Sequence, residues 1–190
     1  MRLYASLFTM LFALPLSAQT APSGPTDRGS KIIGGTAAVE RTSIEGSTAF
    51  NFALQPSLLF FVADRVALGG EVSLGYFDHE NANTTSWSIG PAARLYFGPS
   101  SSKTLPYIGA TVQVGSANTS SDGPVSTDVE SSGWRVEGVA GLTFMISRQV
   151  GIAGEFVLQR DERTTDLGTT EQTNTATRFA LRFGVAAFIF

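Results

Sequence analysis

The sequence predicts an all-β protein: a closed antiparallel eight-stranded transmembrane β-barrel. Three observations carry that expectation. From Lys31 to the C-terminus, strand-length runs alternate apolar residues with small or polar ones. In three of these runs, aromatic residues recur ten positions apart on the apolar face. The connections between runs alternate between short turns and longer polar stretches.

The chain has 190 residues, enough for one domain. Only 15% are charged, well below the roughly one quarter usual in soluble domains. There is no Cys, which excludes disulfides, thiol catalysis, Cys-ligated zinc and an N-terminal lipidated Cys. A net charge of −3 gives no reason to expect nucleic-acid binding.

Residues 1–18 read as a signal peptide. Arg2 supplies a positive start, Leu3 to Leu16 an apolar core, and Ser17-Ala18-Gln19 small residues suited to cleavage after Ala18. The stretch is too short for a membrane anchor, and Pro15 interrupts it. Residues 19–30 read as a flexible periplasmic linker and 31–190 as the barrel domain. No later segment has the 18 consecutive apolar residues of a membrane helix.

The eight runs follow in order. The first, about Lys31 to Glu40, is the weakest. In the second, Phe50, Phe52, Leu54, Pro56, Leu58 and Phe60 oppose Asn51, Ala53, Gln55 and Ser57. In the third, Val66, Leu68, Val72, Leu74 and Tyr76 oppose Ala67, Gly69, Glu71 and Ser73. In the fourth, Trp87, Ile89, Leu95 and Phe97 oppose Ser88, Gly90, Arg94 and Tyr96. In the fifth, Ile108, Val112 and Val114 oppose Tyr107, Thr111 and Gln113. In the sixth, Trp134, Val136, Leu142 and Phe144 oppose Arg135, Glu137, Gly141 and Thr143. In the seventh, Ile152, Phe156 and Leu158 oppose Glu155, Val157 and Gln159. In the eighth, Phe179, Leu181, Phe183 and Val185 oppose Arg178, Arg182 and Gly184.

Alternation does not say which face is inside, because a soluble barrel would bury the apolar face. Aromatic spacing favours lipid outside. Phe50 and Phe60, Trp87 and Phe97, and Trp134 and Phe144 are ten residues apart. Ten strand residues span about 34 Å, which a tilt near 45° projects onto roughly 24 Å, the height of a bilayer's apolar band between two aromatic girdles. With Tyr76, these residues are the expected girdle. The opposite face carries Glu40, Glu71, Glu137 and Glu155 against Arg94, Arg135, Arg178 and Arg182, set among Gly, Ala, Ser and Thr, with Lys nearly absent. That composition suits a narrow lumen with paired charges. The connections agree. Tight turns are expected at Ala63-Asp64-Arg65 and Ser147-Arg148-Gln149, with Gly98 to Leu105 between the fourth and fifth strands. The alternate ends include two long loops, Ala117 to Ser132 and Asp161 to Asn174.

The chain thereby resembles the small bacterial outer-membrane barrels: the OmpA transmembrane domain, OmpX and the opacity-type proteins. The resemblance covers roughly residues 31–190 and rests on the architecture and on the final run Phe183-Gly184-Val185-Ala186-Ala187-Phe188-Ile189-Phe190. It implies an outer-membrane location after signal-peptide cleavage, a monomer surrounded by lipid and lipopolysaccharide, and Phe188 and Phe190 as the signal read by the barrel assembly machinery. Phe190 shares parity with Arg178 and Arg182, so a bulge near the end, or a different parity in the last strand, is needed to turn it outward. Relatives of this kind include anchors, adhesion proteins, narrow pores and a few lipid-modifying enzymes, so the resemblance does not imply one activity.

The strongest functional candidate is the lumen network of Glu71, Arg94, Arg135, Glu137, Glu155, Arg178 and Arg182, read either as a structural filling or as a gate. His79, the sole histidine, lacks the Ser two positions on that the resembling deacylases need, and reads as a solvated loop residue. Asp122, Asp128, Glu130, Asp161, Glu162, Asp166 and Glu171 make the long loops acidic, but they follow no calcium-loop spacing. Lys31-Ile32-Ile33-Gly34-Gly35 looks like a trypsin-type mature start, yet no Gly-Asp-Ser-Gly-Gly follows. Asn83-Thr84-Thr85 and Asn118-Thr119-Ser120 fit glycosylation acceptors, which mean little in a bacterium. The sequence therefore predicts a non-enzymatic integral membrane barrel without metal or cofactor, structural or surface-interacting in role. The alternatives are a narrow gated pore and a secreted soluble barrel binding an apolar ligand.

Overall fold

A computed structural model describes residues 22–44, 47–79, 82–121, 127–166 and 171–190. The signal-peptide segment, and the side chains of Glu40, His79, Glu80, Asp122, Asp128, Asp166 and Glu171, lie outside the described residues.

Eight strands form: β1 (Lys31–Ile44), β2 (Ser47–Ala63), β3 (Val66–His79), β4 (Ala82–Tyr96), β5 (Thr104–Ser121), β6 (Thr127–Met145), β7 (Val150–Asp166) and β8 (Glu171–Ile189). Each pairs antiparallel with the next, and β8 returns to β1 to close the barrel. The period-2 pattern holds on every strand. The apolar series faces out, with Leu54, Leu74, Ile89, Ile108, Leu142, Phe156 and Leu181 exposed. Gln55, Glu71, Ser88, Gln113, Glu137, Glu155 and Arg182 face in and are buried. This is the inverse of a soluble sandwich, where the polar face meets water.

The strand ends differ from expectation at three places. The two long loops are mostly strand. β5 continues to Ser121 and β6 starts at Thr127, paired as far as Ser121↔Thr127. β7 continues to Asp166 and β8 starts at Glu171, paired as far as Asp166↔Glu171. Here the apolar-polar contrast fades because Ser, Thr, Asn and charged residues occupy both parities of a ribbon that rises past the apolar band. Ser and Thr still favour extended backbone, so ribbon reads as loop.

The linker is the second difference. Within it, residues 24–30 fold against the barrel's short-turn end. Phe61 and Ser30 pair as an added ladder step, with Gly29 donating to the Phe61 carbonyl at 2.9 Å and Phe61 donating to the Ser30 carbonyl at 2.9 Å. Arg65, at φ 67° in the β2–β3 turn, donates to the Thr26 carbonyl at 2.7 Å, and its own carbonyl accepts from Tyr96 at 2.8 Å. These bonds offset the cost of the left-handed conformation. Thr26 and Ser30 are buried. The Ser23 hydroxyl beside Asp27 holds that carboxyl below the usual carboxylate range.

The last strand is the third. Its register against β7 and β1 is continuous, with no bulge. Phe188 therefore faces in and is 1% exposed, its ring 6.4 Å from Tyr96 and edge-on. Phe190 packs against the same cluster, so neither terminal aromatic faces outward. Ile32, Leu59, Phe61, Ala67, Ala92, Tyr96, Leu105, Tyr107 and Ala186 complete an apolar floor inside the short-turn end. Closing the first and last strands there makes this floor, because Ile32 pairs with Phe188 across the seam.

Candidate functional site

Directly above the floor, the barrel interior carries charge. β3, β4, β6, β7 and β8 each present inward positions at this level, which is why residues as far apart in sequence as Arg94 and Glu155 meet. The neighbours that make room are small. A Cβ at Gly141 would stand 2.3 Å from the Tyr107 ring, so glycine there is what lets Tyr107 lie flat across the interior.

The network has two halves. In the lower half, Arg94 lies 3.5 Å from Glu71 and 3.3 Å from Glu155, with its guanidinium 5.2 Å from the Tyr107 ring centre. The Tyr107 hydroxyl donates to Glu155 at 2.5 Å. Gln113 donates to Glu71 at 3.2 Å and accepts from Ser88 at 2.7 Å. In the upper half, Arg182 grips Glu137 as a fork, at 2.8 and 3.0 Å, and also donates to Gln159 at 3.2 Å. Gln55 reaches Glu137 from the opposite wall at 3.3 Å. Arg135 lies 3.7 Å from Glu137, and it donates to Asp161 at 2.6 Å and to Ser73 at 3.2 Å. Gln159 donates to Asp161 at 2.5 Å.

Six of the seven predicted lumen residues come together: Glu71, Arg94, Arg135, Glu137, Glu155 and Arg182. Arg178 does not. It keeps the inward register, opposite Gln159, but it is exposed nearer the long-ribbon end. Charge alternation alone could not show that the interior opens to water four residues above Arg182.

Asp161 is the member that sequence reasoning placed elsewhere, in a solvated acidic loop. It is 5% exposed and joined to Arg135. Its two-residue step from Gln159 was the available signal. With Asp161 counted, four carboxylates (Glu71, Glu137, Glu155, Asp161) meet three guanidiniums (Arg94, Arg135, Arg182). The glutamines were likewise read only as polar face, yet Gln55, Gln113 and Gln159 occupy the lone pairs and protons that the ions leave over. Full pairing is what makes buried charge tolerable.

The seven predicted girdle residues, Phe50, Phe60, Tyr76, Trp87, Phe97, Trp134 and Phe144, are all exposed on the outer wall. Among the described residues no group of His, Asp or Glu has the arrangement of a metal site. A cavity of about 520 Å³ lies outside the floor, between Ser23–Asp27, the β4–β5 turn at Ser100–Lys103, the β6–β7 turn and Phe190.

No protein-family model matches the chain, and no curated protein matches it either. Solved structures do. Neisserial surface protein A is 17% identical over 84% of this chain and 96% of its own, with a TM-score of 0.55. The outer membrane protein OprG of Pseudomonas aeruginosa is 14% identical over 87% of this chain and 98% of its own, at 0.54. Outer membrane protein W of E. coli is 16% identical over 86% and 99%, also at 0.54. At such identities the likeness is one of architecture, and the architecture is that of the small eight-stranded outer-membrane β-barrels.

Proposed function

We propose that this chain is an integral outer-membrane barrel, exported by its signal peptide, whose interior is closed to ions and whose role is structural or surface-interacting rather than enzymatic. The observation that carries the reading is the stacking of two buried layers inside the wall: the aromatic floor around Tyr96, Tyr107 and Phe188, and the Arg–Glu network above it. An eight-stranded barrel is just wide enough for side chains to fill. The outer wall, with its two rows of exposed aromatic rings, suits a monomer in lipid and lipopolysaccharide. The terminal strand is the segment the assembly machinery would read. The paired ribbons above the wall are the surface offered to the outside.

Planar-bilayer recording tests closure: the wild type should give small or no steps. Large stable open currents would overturn the reading. Membrane fractionation tests location, since a soluble monomer in buffer contradicts it. Hydrolysis of lipid A or phospholipid by the purified protein would contradict the non-enzymatic role.

A narrow gated pore is the second reading, and Arg94 favours it. It sits between Glu71 and Glu155 at 3.5 and 3.3 Å, looser than the Arg182–Glu137 fork, as a movable bar would be. Glu71→Ala and Arg94→Ala should then raise conductance above the wild type.

A further inference from the structure

Among the described residues the other ladders run the length of their strands, with short skips at Gln55–Pro56 and Gly90–Pro91 and a register shift at Phe61–Ala63, whereas the seam stops short. β1 pairs with β2 as far as Ile44↔Ser47, and β8 pairs with β7 as far as Asp166↔Glu171. Between β1 and β8 the ladder runs only from Lys31↔Ile189 to Ala37↔Phe183. The facing edges, Ala38 to Ile44 on β1 and Glu171 to Arg182 on β8, have no strand partner among the described residues. Seven residues of free β1 edge extend about 24 Å. Outward side chains beside the break are the barest of the large apolar ones on the described wall: Val39 67%, Phe179 69% and Leu181 67%, with Phe183 at the ladder's end at 67%, against 61% for Val114 and 52% for Trp87 away from the seam.

This break begins inside the apolar band. Continuing the register sets Val39 opposite Leu181 and Arg41 opposite Phe179, while Arg41 pairs with the girdle residue Phe50 on its other side. A strand edge there exposes N–H and C=O groups where no bulk water reaches, so the slot suits a polar group delivered with an apolar tail.

On the inner side of the break the described side chains bring positive charge. Arg178 immediately precedes Phe179, is exposed, and turns toward the lumen mouth opposite Gln159. Arg163, on β7, stands within electrostatic range of Arg178 and Arg135. Asp161, the described carboxylate that acts on both, is already engaged by Arg135 and Gln159. No ion pair holds Arg163 or Arg178 among the described residues.

We infer that the β1–β8 seam binds a phosphate-bearing anionic lipid of the surrounding leaflet, its head group on Arg178 and Arg163 and an acyl chain along Val39, Leu181 and Phe183. Guanidinium forks match phosphate oxygens, and the remaining head-group oxygens accept from the free strand edge.

The test uses the full chain refolded in phosphatidylcholine bilayers, with trace spin-labelled phosphatidic acid or spin-labelled phosphatidylcholine as probe. The readout is relative association, taken from the motionally restricted fraction. Phosphatidic acid should be preferred about three- to tenfold, as expected for one or two charge-assisted contacts. Arg163→Gln with Arg178→Gln should bring the preference close to one. The second variant is Val39→Cys with Leu181→Cys. The chain has no other Cys, so a bis-maleimide with a cleavable disulfide spacer bridges these two across the gap and obstructs the slot. Cross-linking should abolish the preference and cleavage of the spacer, which frees the gap, restore it, which keeps the inference testable if the arginine variant fails to fold. No preference in the wild type overturns the inference, as does a preference that survives in both variants. A preference erased by millimolar inorganic phosphate would mean a site for free anions and would also overturn it.

Discussion

Replacing Glu137 by Ala removes the side chain on which the upper half of the network converges. Glu137 is 0% exposed, and it accepts two hydrogen bonds from Arg182, at 2.8 and 3.0 Å, and one from Gln55 at 3.3 Å. Its loss strands the Arg182 guanidinium and weakens the hold on Arg135, which lies 3.7 Å away. Each charge-assisted hydrogen bond contributes about 1.5–3 kcal/mol. A unit charge pair at 4 Å and an effective dielectric of 20 gives about 4 kcal/mol, the same interaction seen another way and not an addition to it. Breaking one partner of a buried pair costs about 3–5 kcal/mol, and that is the expected loss here. The assay is urea unfolding of protein refolded in lipid vesicles, followed by tryptophan fluorescence and by heat-modifiable migration on gels. The double variant Glu137→Ala with Arg182→Met removes both charges and should regain half or more of the loss, because the stranded cation is the main penalty. The reasoning fails if Glu137→Ala costs less than about 1 kcal/mol, or if the double variant loses the sum of the singles.

Three further substitutions and one control probe other layers. Asp161→Asn keeps the shape but removes the charge that Arg135 meets at 2.6 Å, and should cost about 1–3 kcal/mol in the same unfolding assay. An unchanged midpoint would return Asp161 to the solvated loop. Gly90→Ala places a Cβ 1.8 Å from the Val112 carbonyl oxygen, so β4 and β5 must part, with a loss of about 1–3 kcal/mol or failure to refold. Gly138→Ala, with nothing within 4 Å, is the control and should fold normally. Thr26 buries a hydroxyl that has no hydrogen-bond partner among the described residues, so Thr26→Val should be neutral or stabilise by up to about 1 kcal/mol, measured by thermal unfolding. A clear destabilisation would reveal a bond to that hydroxyl.

Most of the wall was legible in the linear pattern. Runs such as Phe50 to Phe60 and Trp134 to Phe144 are read by lipid on one face and by packed polar groups on the other, so the contrast is written at every second residue. Glu71, Glu137 and Glu155 were legible for the same reason, since a carboxylate among Gly and Val on a strand needs an enclosed partner. The pattern failed where its cause is absent. Towards the ribbon ends Ser, Thr and charged residues occupy both parities, so Ala117–Ser121 and Asp161–Asp166 read as loop, and the buried Asp161 was lost with them. Residues 24–30 failed differently. Gly, Pro, Ser and Thr signal turns equally well whether a segment hangs free or is bonded to the barrel end, as Thr26 and Ser30 are.

The sequence by itself determined the number of strands, the face each turns outward and the residue types that must meet inside, because side-chain period and solvent contrast are local properties. Only the tertiary structure decided which charges pair. Arg182 reaches past Glu155, its direct β7 neighbour, to Glu137 on β6, and Arg94 on β4 meets Glu155 on β7, because inward side chains of strands that do not pair converge in a closed lumen. Closure likewise turned Phe188 inward onto Tyr96, left Arg178 exposed above the network, and ended the β1–β8 ladder at Ala37↔Phe183. Those outcomes depend on where the last strand meets the first, a register that no single strand carries.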